Sequence, residues 1–166
     1  MKRVICLILL LSLFLSGCAL FAERIKEPVT FYYVRAEYPY STTESIIGSE
    51  EREASGHRSD LSYLLALYLI GPSDEELVSP IPKGTRIYSV TLEKDTIYLN
   101  LSDTANTLTD SGFSIACACL SMTCLGLTNA EQVTITSGDR VVTMSADTLM
   151  LYDIPTENQS TEEQTQ

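Results

Sequence analysis

Residues 61 to 102 constrain the fold more than any other stretch. They read LSYLLALYLIGPSDEELVSPIPKGTRIYSVTLEKDTIYLNLS. From Leu61 to Ile70 only Ser62 is polar, and Ser59 or Asp60 can cap the helix this run predicts, because its side-chain oxygen can accept an orphan backbone N–H. Gly71 followed by Pro72 ends it: glycine takes the left-handed conformation and proline cannot continue a helix. Pro80, Pro82 and Gly84 keep the chain irregular up to Arg86. Two alternating runs follow. Tyr88, Val90 and Leu92 are expected on one side of a strand, and Ile97, Leu99 and Leu101 on one side of the next, with a turn at Glu93-Lys94-Asp95.

A helix that is apolar nearly all round is deeply buried or meets a partner. Leu61–Ile70 is too short to cross a membrane. The expectation is therefore core on one side and a second apolar contact on the other.

The flanking elements fall around this unit. Val29 to Val34 (VTFYYV) is β-branched and aromatic with apolar residues on both sides, as in an inner strand. Ser45 to Gly48 suggests a short strand running into an acidic loop that holds Glu50, Glu51 and Glu53; a solvated surface run is favoured there over a cation site. The polar stretch Asp103 to Asp110 leads to a second helix starting at Asp110 or Ser111. Phe113, Cys117, Leu120, Cys124 and Leu127 form one face of it. Gln132–Thr136 and Arg140–Met144 flank Ser137-Gly138-Asp139 as a hairpin, and Leu149 to Tyr152 suggests a last short strand. The order gives an α+β domain, with two helices packed on one face of a mixed or antiparallel sheet.

Gly71-Pro72 after an apolar helix, Ile81-Pro82-Lys83-Gly84-Thr85 about ten residues on, and Leu99-Asn100-Leu101-Ser102 closing the hairpin carry a resemblance. The chain resembles the GerMN domain, the unit repeated in sporulation and spore-germination lipoproteins, loosely from Val29 to Leu151; there is room for one such domain. The resemblance implies a fold akin to the ring-building motifs of sporulation membrane complexes, and a role in sporulation or germination.

The N-terminus predicts export. Lys2-Arg3 precede an apolar run from Val4 to Leu15, and Leu15-Ser16-Gly17-Cys18 resembles a bacterial lipobox. That resemblance implies cleavage before Cys18 and diacylation of its thiol, and two acyl chains anchor stably where one does not. The expected organisation is a signal peptide at 1–17, a lipidated N-terminus and tether at 18–28, a domain at 29–152, and a disordered acidic tail at 153–166. The tether reaches at most about 3.3–3.6 Å per residue, which keeps the domain beside the outer face of the cytoplasmic membrane.

Charge narrows the partners. The chain carries 11 basic and 22 acidic residues, a net −11. Removing Lys2 and Arg3 with the leader makes it more acidic still, which argues against nucleic acid and against electrostatic binding to anionic lipid. Chemistry is equally constrained. His57 is the single histidine and has no visible partner, so a surface or capping role is expected. Adjacent pairs such as Glu75-Glu76 and Glu50-Glu51 cannot sit on opposite sides of a sugar. On a helix Cys117 and Cys124 lie about 10.5 Å apart along the axis, and Cys117 and Cys119 point about 200° apart. Neither pair fits a disulfide, and buried cysteines act as small hydrophobes. No cofactor, no metal site and no catalytic set is expected. The function expected is a non-catalytic, lipid-anchored interaction or assembly module whose partners are membrane lipid through Cys18 and envelope or sporulation-complex proteins or copies of itself. The alternative is a wall-polymer or small-ligand binder using some of the nine tyrosines, with a wall-active enzyme ranked last.

Overall fold

A computed structural model describes residues 27–36, 45–54 and 56–149. The expected leader, Cys18, most of the tether, the segment 37–44, the proposed strand beyond Leu149 and the acidic tail lie outside those residues.

The α+β class holds, with the strands divided between two sheets. The first contains β1 (Pro28–Arg35), β2 (Ile47–Glu53) and β3 (Leu77–Val78), in the antiparallel order β2-β1-β3. The second contains β4 (Ile87–Glu93), β5 (Thr96–Leu101), β6 (Gln132–Ser137) and β7 (Arg140–Ser145), in chain order. It is mixed, because β5 and β6 run parallel. Between them a 3-10 turn (Asp103–Thr107) and helix α2 (Asp110–Leu127) return the chain to the same end of the sheet, as a parallel pairing requires. Helix α1 (Leu61–Leu69) joins β2 to β3, and a short α3 (Ala146–Leu149) follows β7 where the sequence suggested the start of a strand.

The division has a cause in the sequence. Pro80 and Pro82 offer no N–H to a ladder, so β3 stops after two residues. Thr85 then bonds back to the Pro82 carbonyl through both its N–H (3.2 Å) and its hydroxyl (2.9 Å). Gly84 sits at φ +90°, a left-handed conformation that favours glycine.

Because β3 is so short, most of that flank of β1 has no strand beside it among the described residues. Side chains from the helices substitute. The Tyr32 N–H donates to Thr123 Oγ1 of α2 (3.1 Å), and the Tyr68 hydroxyl of α1 donates to the Tyr32 carbonyl (3.0 Å). Tyr33 and Tyr68 stack at 4.7 Å with their planes 5° apart, and the Tyr33 hydroxyl donates to the Tyr68 carbonyl. Both phenols are pushed well above their usual range by desolvation. Inner-strand burial of Val29, Phe31 and Tyr33 agrees with the expectation from composition.

Two local expectations need correction. Tyr88 does not share a side with Val90, because a bulge between Ile87 and Ser89 shifts the alternation and leaves Tyr88 64% exposed. Glu50, Glu51 and Glu53 lie in strand β2, not in a loop. Helix α2 starts at Asp110, as expected, and Thr109 caps it by accepting the Gly112 N–H (3.2 Å). That helix also buries more than the expected face: Cys119, Ser121 and Thr123 are as buried as Leu120 and Cys124. It packs against β1 on one side and β6 and β7 on another, so two of its sides are covered.

Candidate functional site

The site begins at the end of α1. Asp60 caps the helix by accepting the Tyr63 N–H (3.0 Å). Leu64, Leu65 and Tyr68 then point into the core. Gly71 takes φ +98° and its N–H bonds to the Tyr68 carbonyl, which stops the helix where the sequence predicted.

The last carbonyls of a helix need donors. Here Arg52 of β2 supplies one for Leu67, the Tyr68 carbonyl being met by the Tyr33 hydroxyl and the Gly71 N–H. Its guanidinium donates to the Leu67 carbonyl (3.4 Å) and to the Gly71 carbonyl, and its Nε donates to Glu50 (2.6 Å). A cation there also suits the helix dipole. Glu50 in turn accepts the backbone N–H groups of Ser73 (2.9 Å) and Asp74 (3.0 Å). The two side chains are only 12% and 9% exposed, so the pair is shielded from solvent in a way ordinary surface pairs are not. Thus Glu50 is a structural organiser of the Gly71-Pro72 turn rather than part of a solvated run. Sequence reasoning missed Arg52. Its one signal was a lone cation inside an acidic strand.

Beside this turn lies an apolar groove of about 490 Å³, lined by Leu69, Ile70, Pro72, Leu77, Val78 and Ile81 among others. Leu77 and Ile81 are buried, whereas Ile70 is 79% and Val78 50% exposed. Ile70 continues a stripe along α1 through exposed Ala66 and Tyr63, at helical spacings of four and three. This is the second apolar side the sequence predicted. Ser79 is engaged with the Ile81 backbone through its hydroxyl (3.2 and 3.3 Å), and Lys83 stands on the rim. The arrangement suits insertion of an apolar side chain from a partner.

The other candidate residues fall elsewhere. His57 is exposed and stacks on Tyr63 at 4.2 Å. Cys117, Cys119 and Cys124 are buried and unbonded to one another, and desolvation pushes all three thiols from 9.0 to about 12. Among the described residues no three His, Cys, Asp or Glu side chains are grouped to hold a metal. Glu75 and Glu76 are exposed. Cys18 lies outside the described residues.

A family model described as "Germane: Sporulation and spore germination" matches residues 30–143. No curated protein sequence matches the chain. Solved structures resemble it, among them the following two. One is a crystal structure of a candidate lipoprotein from Clostridium perfringens, 16% identical with a TM-score of 0.45, covering 72% of this chain and 87% of that one. The other is the tandem GerMN domains of the sporulation protein GerM from Bacillus subtilis, 13% identical with a TM-score of 0.49, covering 68% of this chain and 39% of that one.

Proposed function

Since the chain belongs to the Germane family of sporulation and spore-germination domains, we propose that it is a lipid-anchored, non-catalytic assembly module that docks a neighbouring envelope protein through α1 and its groove. The observation that carries this reading is the continuity of exposed apolar surface. Tyr63, Ala66 and Ile70 on the helix run into a groove edged by Val78. An exposed apolar patch of this kind costs solubility unless a partner covers it. The Glu50–Arg52 pair fixes the helix end and the Gly71-Pro72 turn, so the patch is presented on a preorganised scaffold, which reduces the ordering cost of association.

The Leu15-Ser16-Gly17-Cys18 sequence supports the anchoring part of this reading, in which the domain stands on the outer face of the cytoplasmic membrane. Confinement to that surface raises effective concentration, so a weak groove contact suffices. Metabolic labelling with a fatty acid tests the anchor: wild type takes up label, and undiminished label in Cys18→Ala refutes lipidation at that residue. Crosslinking in sporulating cells tests the docking surface. The wild type should give specific envelope-protein adducts that vanish in Ile70→Lys/Val78→Lys. A folded double variant that keeps every adduct and supports normal sporulation excludes this surface.

A further inference from the structure

Among the described residues, the four-stranded sheet buries one face and leaves the other open. Ile97, Leu99, Leu101, Val133 and Ile135 point into the core, so the residues that alternate with them occupy the outer face. The strand register arranges those residues in rows that cross all four strands. The middle row is Thr91, Tyr98, Thr134 and Thr143. Ser89, Asn100, Thr136 and Val141 form the row on one side. Glu93, Thr96, Gln132 and Ser145 form the row on the other. Tyr98 is 44% exposed in the middle row. The polar groups around it are held in place: the Thr134 and Thr143 hydroxyls share a 2.9 Å hydrogen bond, and Gln132 Nε2 donates to Thr96 Oγ1 at 3.0 Å. A polar recess of about 440 Å³, lined by Gln132, Ser145, Glu131, Ala146 and Asp147, adjoins the third row.

We propose that this face binds a neutral polysaccharide strand, specifically a β-linked chain of N-acetylhexosamines. The chemistry of the rows favours that occupant over the others. They contain no lysine or arginine, and the recess adds Glu131 and Asp147, so nucleic acid and phosphate-bearing polymers find no counter-charge. Protein interfaces enrich aromatic residues, methionine and arginine in their cores and deplete serine. Here every position except Tyr98, Val141 and Glu93 carries a hydroxyl or amide side chain. Such groups both donate and accept hydrogen bonds, which matches sugar hydroxyls and acetamido groups without selecting a charge. The C–H face of a sugar ring stacks on an aromatic ring, and Tyr98 offers an exposed, amphipathic one in the middle row. A site that hydrogen-bonds hydroxyl groups also rejects ligands lacking them. The apolar groove beside α1 shares no residue with this face, so the two surfaces can be occupied together.

The test uses the full-length protein in detergent and two solid probes: chitin, and peptidoglycan stripped of protein and anionic polymer. Wild type should co-sediment with both, and a tetramer of β-1,4-linked N-acetylglucosamine should displace it. Tyr98→Ala should bind at least tenfold more weakly, and Tyr98→Phe should keep binding within about threefold, because the ring rather than the hydroxyl carries the stack. Thr143→Glu, at an exposed position of the middle row, should also weaken binding at least tenfold and serves as the second variant if Tyr98→Ala loses its circular dichroism. Failure of wild type to co-sediment overturns the proposal, as does equal binding by folded Tyr98→Ala. A photocrosslinker at position 98 that captures a protein in cells with equal yield after muramidase digestion makes the face a protein interface and overturns it as well.

Discussion

Helix α1 is the more apolar of the two long helices, yet it is the less buried. From Leu61 to Leu69 it has one polar residue, and it still leaves Tyr63 and Ala66 exposed, with Ile70 following at its end. Helix α2 carries Asp, Ser and Thr residues along its length and hides Ser121 and Thr123 completely. The contrast shows that composition sets how much apolar surface a helix has, whereas the number of layers around it sets how much is covered. β1 on one side and the second sheet on another cover α2. Its 18 residues are apolar enough by composition to span a bilayer, and packing between layers accounts for that character. With a single core-facing side, α1 keeps apolar surface to spare, and spare surface is where a partner fits.

If α2 is the structural helix, truncating it should cost the most. Leu120 is fully buried. Leu120→Ala should destabilise the domain by about 2–5 kcal/mol through lost burial and a residual cavity, measured by urea unfolding. A loss below about 1 kcal/mol would mean that α2 is loosely packed and that the contrast between the helices fails.

The same helix predicts a pH dependence. Each buried thiol is raised from 9.0 to about 12 in the folded protein. Between those pH values the unfolded chain sheds thiol protons that the folded chain keeps. Stability contributed by the neutral thiols is therefore full below pH 9 and falls as pH rises toward 12, by about 1.4 kcal/mol per pH unit for each thiol. Unfolding midpoints at pH 8 and pH 10 should differ strongly in wild type, and less in a variant with all three cysteines replaced by alanine. An equal difference in both would show that the thiols titrate normally.

The sequence made much of this legible, and its failures have a common origin. Gly71-Pro72 and Gly84 were readable because backbone conformation there is set by the residue itself, and both glycines have positive φ. The hairpins were readable from local alternation. What could not be read was pairing across distance. Nothing near Tyr32 says that its N–H will find Thr123, or its carbonyl Tyr68. Nothing near Glu50 says that it will hold the Ser73 and Asp74 amides. The open face beside Tyr98 was hidden for the same reason: its rows come from four strands, two of them joined across an intervening helix. The sequence named the surplus on α1 and missed this second surface.

The Thr123 contact sharpens the comparison, since it is what lets a polar residue sit inside α2. Thr123→Val keeps shape and removes the acceptor, so the half-buried Tyr32 N–H loses its partner. A loss of about 1–3 kcal/mol follows, with faster hydrogen exchange at the Tyr32 amide. Thr123→Ser, which retains the oxygen, should recover normal exchange at that amide. If Thr123→Val exchanges as slowly as wild type, β1 is satisfied by some other group.

The smallest effect on stability belongs to the residue with the largest proposed role. Ile70 is 79% exposed and immediately follows α1. Replacing it by lysine removes little buried area. It also places a cation where the helix dipole favours one. The expected change in unfolding free energy is within about 0.5 kcal/mol of zero. Leu64→Ala, at a fully buried position of the same helix, should instead cost about 2–5 kcal/mol. The two substitutions thus separate the halves of α1: one half maintains the fold, and the other is free to be used. If Ile70→Lys costs as much as Leu64→Ala, then the stripe is covered within the domain, α1 is a second structural helix, and its surplus has no partner to explain.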